Sequence, residues 1–176
     1  MDTQQVLEKE GAAGERATRR ILFVCTGNTC RSPMAKALLI DLSRPREICS
    51  VGKNQSIGLF EVQSAGLYAS EGAPITPAAV DALREAGVVA TPQNNYPAHT
   101  AKNVSAEMVE WADEVVGLTA SHAMQLLMRF PQAATKIRTL PLDISDPYGG
   151  DAEVYRLCLA QLRYALELAY LTEGEG

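Results

Sequence analysis

The sequence predicts an α/β fold: a single-domain three-layer sandwich with a four-stranded parallel sheet flanked by about five helices. Two observations carry this. Short apolar runs suited to buried strands alternate with stretches whose apolar residues recur at helical spacing, and such alternation implies parallel strands joined by right-handed crossovers. No linker or internal repeat divides the 176 residues, a length that one core accommodates.

Residues 1–19 are polar, with Gly11 to Gly14 in their middle, and read as a flexible N-terminal extension; the alternative is a short helix packed on the domain or on a partner. Ile21 to Cys25 is an apolar run of the buried-strand type, broken at Thr26-Gly27-Asn28. Ser32 as N-cap and Pro33 at the first helical position then open a helix on which Met34, Ala37, Leu38 and Leu42 recur. Phe60 to Ser64 reads as a second strand ending at Ala65-Gly66. Thr76-Pro77 starts a helix running to Gly87, with Val80, Leu83 and Ala86 on its inner face. A helix over Ser105 to Ala112 precedes a strand from Glu114 to Leu118. Another spans Ser121 to Arg129 and stops before Pro131; Lys136 to Leu140 is a weaker strand candidate. Asp151 caps a long terminal helix with Val154, Leu157, Leu162, Ala165, Leu166 and Ala169 turned inward, and residues 173–176 read as a flexible C-terminus.

The net charge of −5 argues against a nucleic-acid binder, which needs a basic face. No window is apolar enough to span a bilayer, and the first twenty residues lack the apolar segment of a secretory signal, so a cytoplasmic protein without a membrane partner is expected. Cys25, Cys30, Cys49 and Cys158 have no C-x-x-C spacing and only two histidines accompany them, which argues against a structural metal and against a disulfide scaffold.

The chemistry concentrates in Cys25-Thr26-Gly27-Asn28-Thr29-Cys30-Arg31-Ser32. The segment lies between a buried strand and a helix N-terminus, where unpaired N–H groups and the helix dipole favour an anion. Gly27, free to take positive φ, lets successive amides turn inward as a nest. Arg31 can offer its planar fork to two phosphoryl oxygens. The same positive surroundings favour the thiolate of Cys25, to which Ser32 can donate its hydroxyl. The bland alternative is a buried strand-end cysteine beside a surface arginine; the glycine, the Ser-Pro helix start and the strand together weigh against it.

The segment resembles the phosphate-binding loop of the low-molecular-weight protein-tyrosine phosphatase family: cysteine, five residues, arginine, serine near the N-terminus. Ser64-Ala65-Gly66 and Asp146-Pro147-Tyr148-Gly149 support the resemblance, which covers residues 21 to about 170. It implies a phosphatase domain over residues 20–172 and no cofactor. It also implies Cys25 as nucleophile, Arg31 as phosphate clamp, the amides of Thr26 to Cys30 as cradle, and Asp146 as general acid, with Asp143 a nearby rival. Asn28, Ser64 and His99 would form a hydrogen-bonded network with Ser32, and Thr29, Tyr68 and Tyr148 the substrate rim; His122 is read as structural. The partner would be a phosphorylated protein, met by a monomer or weak homodimer.

Thr29 is the informative loop position. Relatives acting on phosphotyrosine commonly carry an aliphatic residue there, whereas the run from Cys25 to Ala35 is similar to the bacterial protein-arginine phosphatases. A threonine hydroxyl suits a polar guanidinium and leaves width for it, so phosphoarginine is favoured and phosphotyrosine is the alternative. Lys36 stands where relatives often have glutamate, and Ser43 to Leu59 is longer than usual. Cys30, in the same loop as Cys25, is either a reversible disulfide partner that makes the enzyme redox-sensitive or a cysteine chosen for size. The rivals of other classes are an arsenate reductase, for which no further cysteine pair follows the second strand, and a non-catalytic phosphate-binding module, which would not need all three of Cys25, Arg31 and Asp146.

Overall fold

The computed structural model describes residues 17–44 and 59–172. Most of the predicted extension, most of the Ser43–Leu59 segment with Cys49, and the predicted C-terminus lie outside them. Four strands run β1 (Arg19–Cys25), β2 (Phe60–Gly66), β3 (Glu114–Gly117) and β4 (Ile137–Thr139). They form one parallel sheet in the order β2-β1-β3-β4. The five α-helices among the described residues are α1 (Arg31–Leu42), α2 (Pro77–Glu85), α3 (Ala106–Trp111), α4 (Ala120–Arg129) and α5 (Ala152–Leu166).

Alternation along β1 builds the three layers. Ile21, Phe23 and Cys25 face a core shared with α1, α2 and α5, while Leu22 and Val24 face a second core under α3 and α4. All five are at most 2% exposed, as a central parallel strand requires. That parity turns Cys25 towards the start of α1, at the carboxyl end of the sheet where open α/β folds place their ligands. Arg19 belongs to β1 and not to the extension: it pairs with Glu114, and its guanidinium lies 5.4 Å from the Tyr170 ring centroid. Among the described residues no helix is long and apolar enough to cross a membrane.

Several sequence expectations are corrected. Helix α1 starts at Arg31 with Cys30 as its N-cap, so Ser32 is its second residue and Pro33 its third. Proline is still tolerated there, because first-turn N–H groups have no intrahelical partner. On α2 the inner face carries Ala79, Ala82 and Leu83 with Val80, and Ala86 is exposed. On α5, Leu162, Ala165 and Leu166 are buried as expected, but Val154 and Leu157 face solvent, as does Ala169 in the helical turn Glu167–Leu171 that follows, and Tyr155, Cys158 and Leu159 take the inner positions. Asp151 does cap α5, its Oδ1 accepting from the Val154 N–H at 3.1 Å.

Candidate active site

Five residues, Thr26 to Cys30, connect β1 to α1. The loop turns at Asn28, whose φ is +56°, a conformation that asparagine tolerates better than most residues. Gly27, expected to make that turn, does not take positive φ. The glycine with steric work to do is Gly66, at the end of β2: a Cβ there would lie 2.6 Å from the Thr26 carbonyl oxygen and 3.1 Å from the Asn28 nitrogen. The loop therefore passes against bare backbone.

The turn brings the Asn28 N–H to 3.3 Å from Cys25 Sγ. The Asn28 side chain is fully buried, and its amide donates to Ser32 Oγ at 2.9 Å and to Ser64 Oγ at 3.1 Å. Its Oδ1 accepts from the Lys102 N–H at 3.0 Å. Ser32 Oγ, besides accepting from Asn28, lies 3.0 Å from Cys25 Sγ and 3.3 Å from the Ala65 carbonyl. The single hydroxyl proton can serve either; an anionic sulfur takes it, because charge-assisted hydrogen bonds are the stronger. His99 Nε2 lies 2.8 Å from the Asn28 carbonyl oxygen. A carbonyl only accepts, so Nε2 carries the proton; burial lowers the His99 pKa and favours the neutral ring. The structure thus joins Asn28, Ser32, Ser64 and His99 in one network around the loop.

Arg31 is 6% exposed. Its Nη1 donates to the Ile144 carbonyl at 3.2 Å and its Nη2 pairs with Asp146 Oδ2 at 3.3 Å. The Asp146 side chain is half exposed, and its other oxygen accepts from the Tyr148 N–H at 3.1 Å, a local turn that holds the carboxyl over the loop. Its rival Asp143 is engaged elsewhere, accepting from the Ala120 N–H at 2.9 Å at the start of α4. A cavity of about 230 Å³ is lined by every residue from Cys25 to Arg31 together with Asp146 and Tyr148. Tyr68, expected on the rim, does not line it; its ring lies 4.6 Å from the Arg129 guanidinium.

The loop's second cysteine is turned towards α5: Cys30 Sγ lies 3.3 Å from Tyr155 Oη and 3.6 Å from Thr76 Oγ1. Cys25, Cys30 and Cys158 are all free thiols. Burial pushes the Cys158 pKa up to about 12, which leaves it an inert core thiol.

His122 on α4, read from the sequence as structural, touches the loop in a way that the sequence did not indicate. It is 4% exposed, with Nε2 3.0 Å from Thr26 Oγ1 and Nδ1 3.1 Å from Thr119 Oγ1. The available signal was the Thr119-x-x-His122 spacing of a capped helix start, where Thr119 Oγ1 accepts from the His122 N–H at 3.2 Å. Burial, and then the charge of Arg31, lowers the His122 pKa from 6.5 to about 4. Between those two values the unfolded chain binds a proton that the folded chain does not, so stability falls as pH drops through that window. Carboxylates act in the same direction, so a variant isolates the effect. His122→Gln is expected to lose less stability than the original chain between about pH 7.5 and pH 5, read as the change in denaturant midpoint.

Comparison with known proteins agrees with this geometry. The family described as "Low molecular weight phosphotyrosine protein phosphatase" matches residues 20–172. A protein-arginine-phosphatase of Geobacillus stearothermophilus is 38% identical over 155 residues, covering 84% of this chain and 91% of the relative. The low molecular weight protein-tyrosine-phosphatase PtpB of Staphylococcus haemolyticus is 29% identical over 153 residues, covering 84% and 94%. A structure of the YwlE arginine phosphatase, a cysteine-to-serine mutant with a phosphorylated active-site serine, superposes with a TM-score of 0.71 at 31% identity, covering 85% of this chain and 92% of that one. With a matching family over nearly the whole chain and the same fold around a cysteine-bearing loop, the protein belongs to the low molecular weight phosphotyrosine protein phosphatase family.

Proposed function

We propose that the chain hydrolyses phosphoarginine side chains of proteins through a phosphocysteine intermediate, with Cys25 as nucleophile, Arg31 as clamp and Asp146 as acid and then base. The observation that carries this is the convergence on one cavity of a sulfur held by the Asn28 N–H and the Ser32 hydroxyl, a buried guanidinium, and a carboxylate tethered above both. The loop amides and Arg31 supply the positive charge for a phosphoryl group, so the reading needs no metal.

In the first step Cys25 Sγ attacks phosphorus; the S–P bond forms as the P–N bond to the guanidino group breaks, and Asp146 gives that nitrogen a proton. Arrival of the phosphoryl group offers Arg31 two oxygens for its fork, which releases Asp146 from the guanidinium it otherwise pairs with. In the second step the Asp146 carboxylate takes a proton from water, the hydroxyl attacks phosphorus, and the S–P bond breaks to free phosphate. Ser32, donating to Cys25 Sγ, makes the sulfur a better leaving group.

Thr29 lines the cavity, and the arginine phosphatases among the relatives favour the polar substrate. The exposed Tyr148 ring at the mouth, together with the tyrosine phosphatases among the relatives, supports phosphotyrosine as the second reading. Thr29→Ile decides between them. Its ratio of kcat/KM for phosphotyrosine over phosphoarginine peptides is expected to rise at least about tenfold, since removing a hydroxyl from a polar pocket penalises the polar substrate. An unmoved ratio would leave Thr29 out of the selection.

The free thiols suit a reducing compartment such as the cytoplasm. One copy of the chain carries every group the reaction uses, so a monomer or a weak homodimer suffices.

A further inference from the structure

Behind the loop lies a second cavity of about 190 Å³, between the first turns of α1 and the segment from Pro92 to His99. Its walls are tied down. Asn94 closes a turn with Thr91 and donates its side-chain amide to the Ala37 carbonyl at 3.0 Å, and Tyr96 Oη donates to the Val88 carbonyl at 2.8 Å. The cavity is about as large as that of the catalytic loop, with room for several water-sized groups.

Among the described residues its lining includes Lys36, His99, Gln93 and Asn95 and no aspartate or glutamate. Lys36 is half-buried, and among the described residues the charged group acting on it is another cation, Lys102; burial first and Lys102 second lower its pKa. A partly desolvated ammonium without a counter-charge is costly, and an anion beside it removes the cost. His99 turns Nε2 to the Asn28 carbonyl, so its second ring nitrogen has no partner among the described residues.

We infer that this cavity is a second oxyanion site, distinct from the catalytic loop, which takes a phosphate- or sulfate-sized anion on Lys36 and communicates its occupancy to the loop through His99. An anion beside the imidazole favours a proton on Nδ1, taken from solvent. The Nε2–H···O=C bond to Asn28 then becomes charge-assisted and tightens the residue whose N–H holds Cys25 Sγ. Product phosphate and small phosphate esters share the required chemistry.

The test fills the catalytic loop first. The full chain is loaded with vanadate, which occupies the Cys25 site, and is then titrated with sulfate while the His99 ring nitrogens and the Asn28 amide are followed by NMR. A saturable shift at both is expected in the original protein, with at least a tenfold weaker midpoint in Lys36→Met and Lys36→Gln. Vanadate uptake by the variants checks their fold and reports separately on the front site, so a failure of the catalytic reading is visible on its own. No saturable shift in the vanadate-loaded original chain would overturn the inference, as would an unchanged midpoint in a folded Lys36 variant. Inorganic phosphate and glycerol phosphate, titrated the same way, tell a free anion from one carried on a metabolite.

Discussion

Replacing Cys25 by serine is expected to lower turnover of a phosphorylated peptide by about 10,000-fold or more, the size of loss seen when a covalent nucleophile is removed. The site explains why so small a change costs so much. The Asn28 N–H and the Ser32 hydroxyl converge on the sulfur at 3.3 and 3.0 Å, and a serine oxygen in its place is a far weaker nucleophile than sulfur. The fold should be untouched, because Cys25 and serine are close in size and Ser32 and Asn28 keep their other partners. The check is steady-state kinetics beside a thermal melt: kcat collapses while Tm moves little. A Cys25→Ser protein retaining a tenth of the activity would mean that another group attacks phosphorus.

Arg31→Lys is expected to cost about 1,000-fold in kcat/KM, the upper range for deleting one preorganised electrostatic donor. Charge is conserved in this variant, so geometry alone is tested. An ammonium cannot donate to the Ile144 carbonyl while also presenting two parallel N–H groups to a phosphoryl group. Leaving the Ile144 carbonyl without its donor should also cost about 1–3 kcal/mol of stability. Kinetics and denaturant unfolding measured on one preparation separate the two losses. A variant with near-normal kcat/KM would show that Arg31 is a tether for the segment from Ile144 to Asp146 and not a clamp.

Much of this site is legible in the sequence. The apolar run of β1, the break at Thr26 and the Asp-Pro-Tyr-Gly turn are local signals, and local signals survive folding. What failed depended on tertiary contacts. Ser32 has the chemistry of an N-cap, yet its hydroxyl is drawn to Cys25 Sγ across the loop and to the Ala65 carbonyl, the second contact existing only once β2 lies beside the loop. Glycine adopts positive φ at least cost, which points to Gly27; Asn28 takes it instead because four hydrogen bonds to three other segments hold that residue in place. The role of Gly66 was invisible for the same reason, being set by a loop forty residues earlier in the chain. Helix α5 carries apolar residues on two faces, Val154 and Leu157 outside and Tyr155-Cys158-Leu159-Leu162 inside, and periodicity alone cannot say which one the sheet will cover.

His122 illustrates a different limit. A histidine at the third position of a helix reads as ordinary, and its link to the loop runs through Thr26, nearly a hundred residues away in sequence.

The account stands on one covalent bond, between Cys25 Sγ and phosphorus. It is tested most directly by mixing the protein with a phosphorylated peptide, stopping the reaction within a single turnover in denaturant, and locating phosphate by mass spectrometry of the fragments. A phosphoryl group on the fragment carrying Cys25, appearing before free phosphate and decaying as free phosphate accumulates, is the predicted result. Free phosphate released without any phosphorylated fragment under conditions that resolve the first turnover, or phosphate found on a residue other than Cys25, would contradict it.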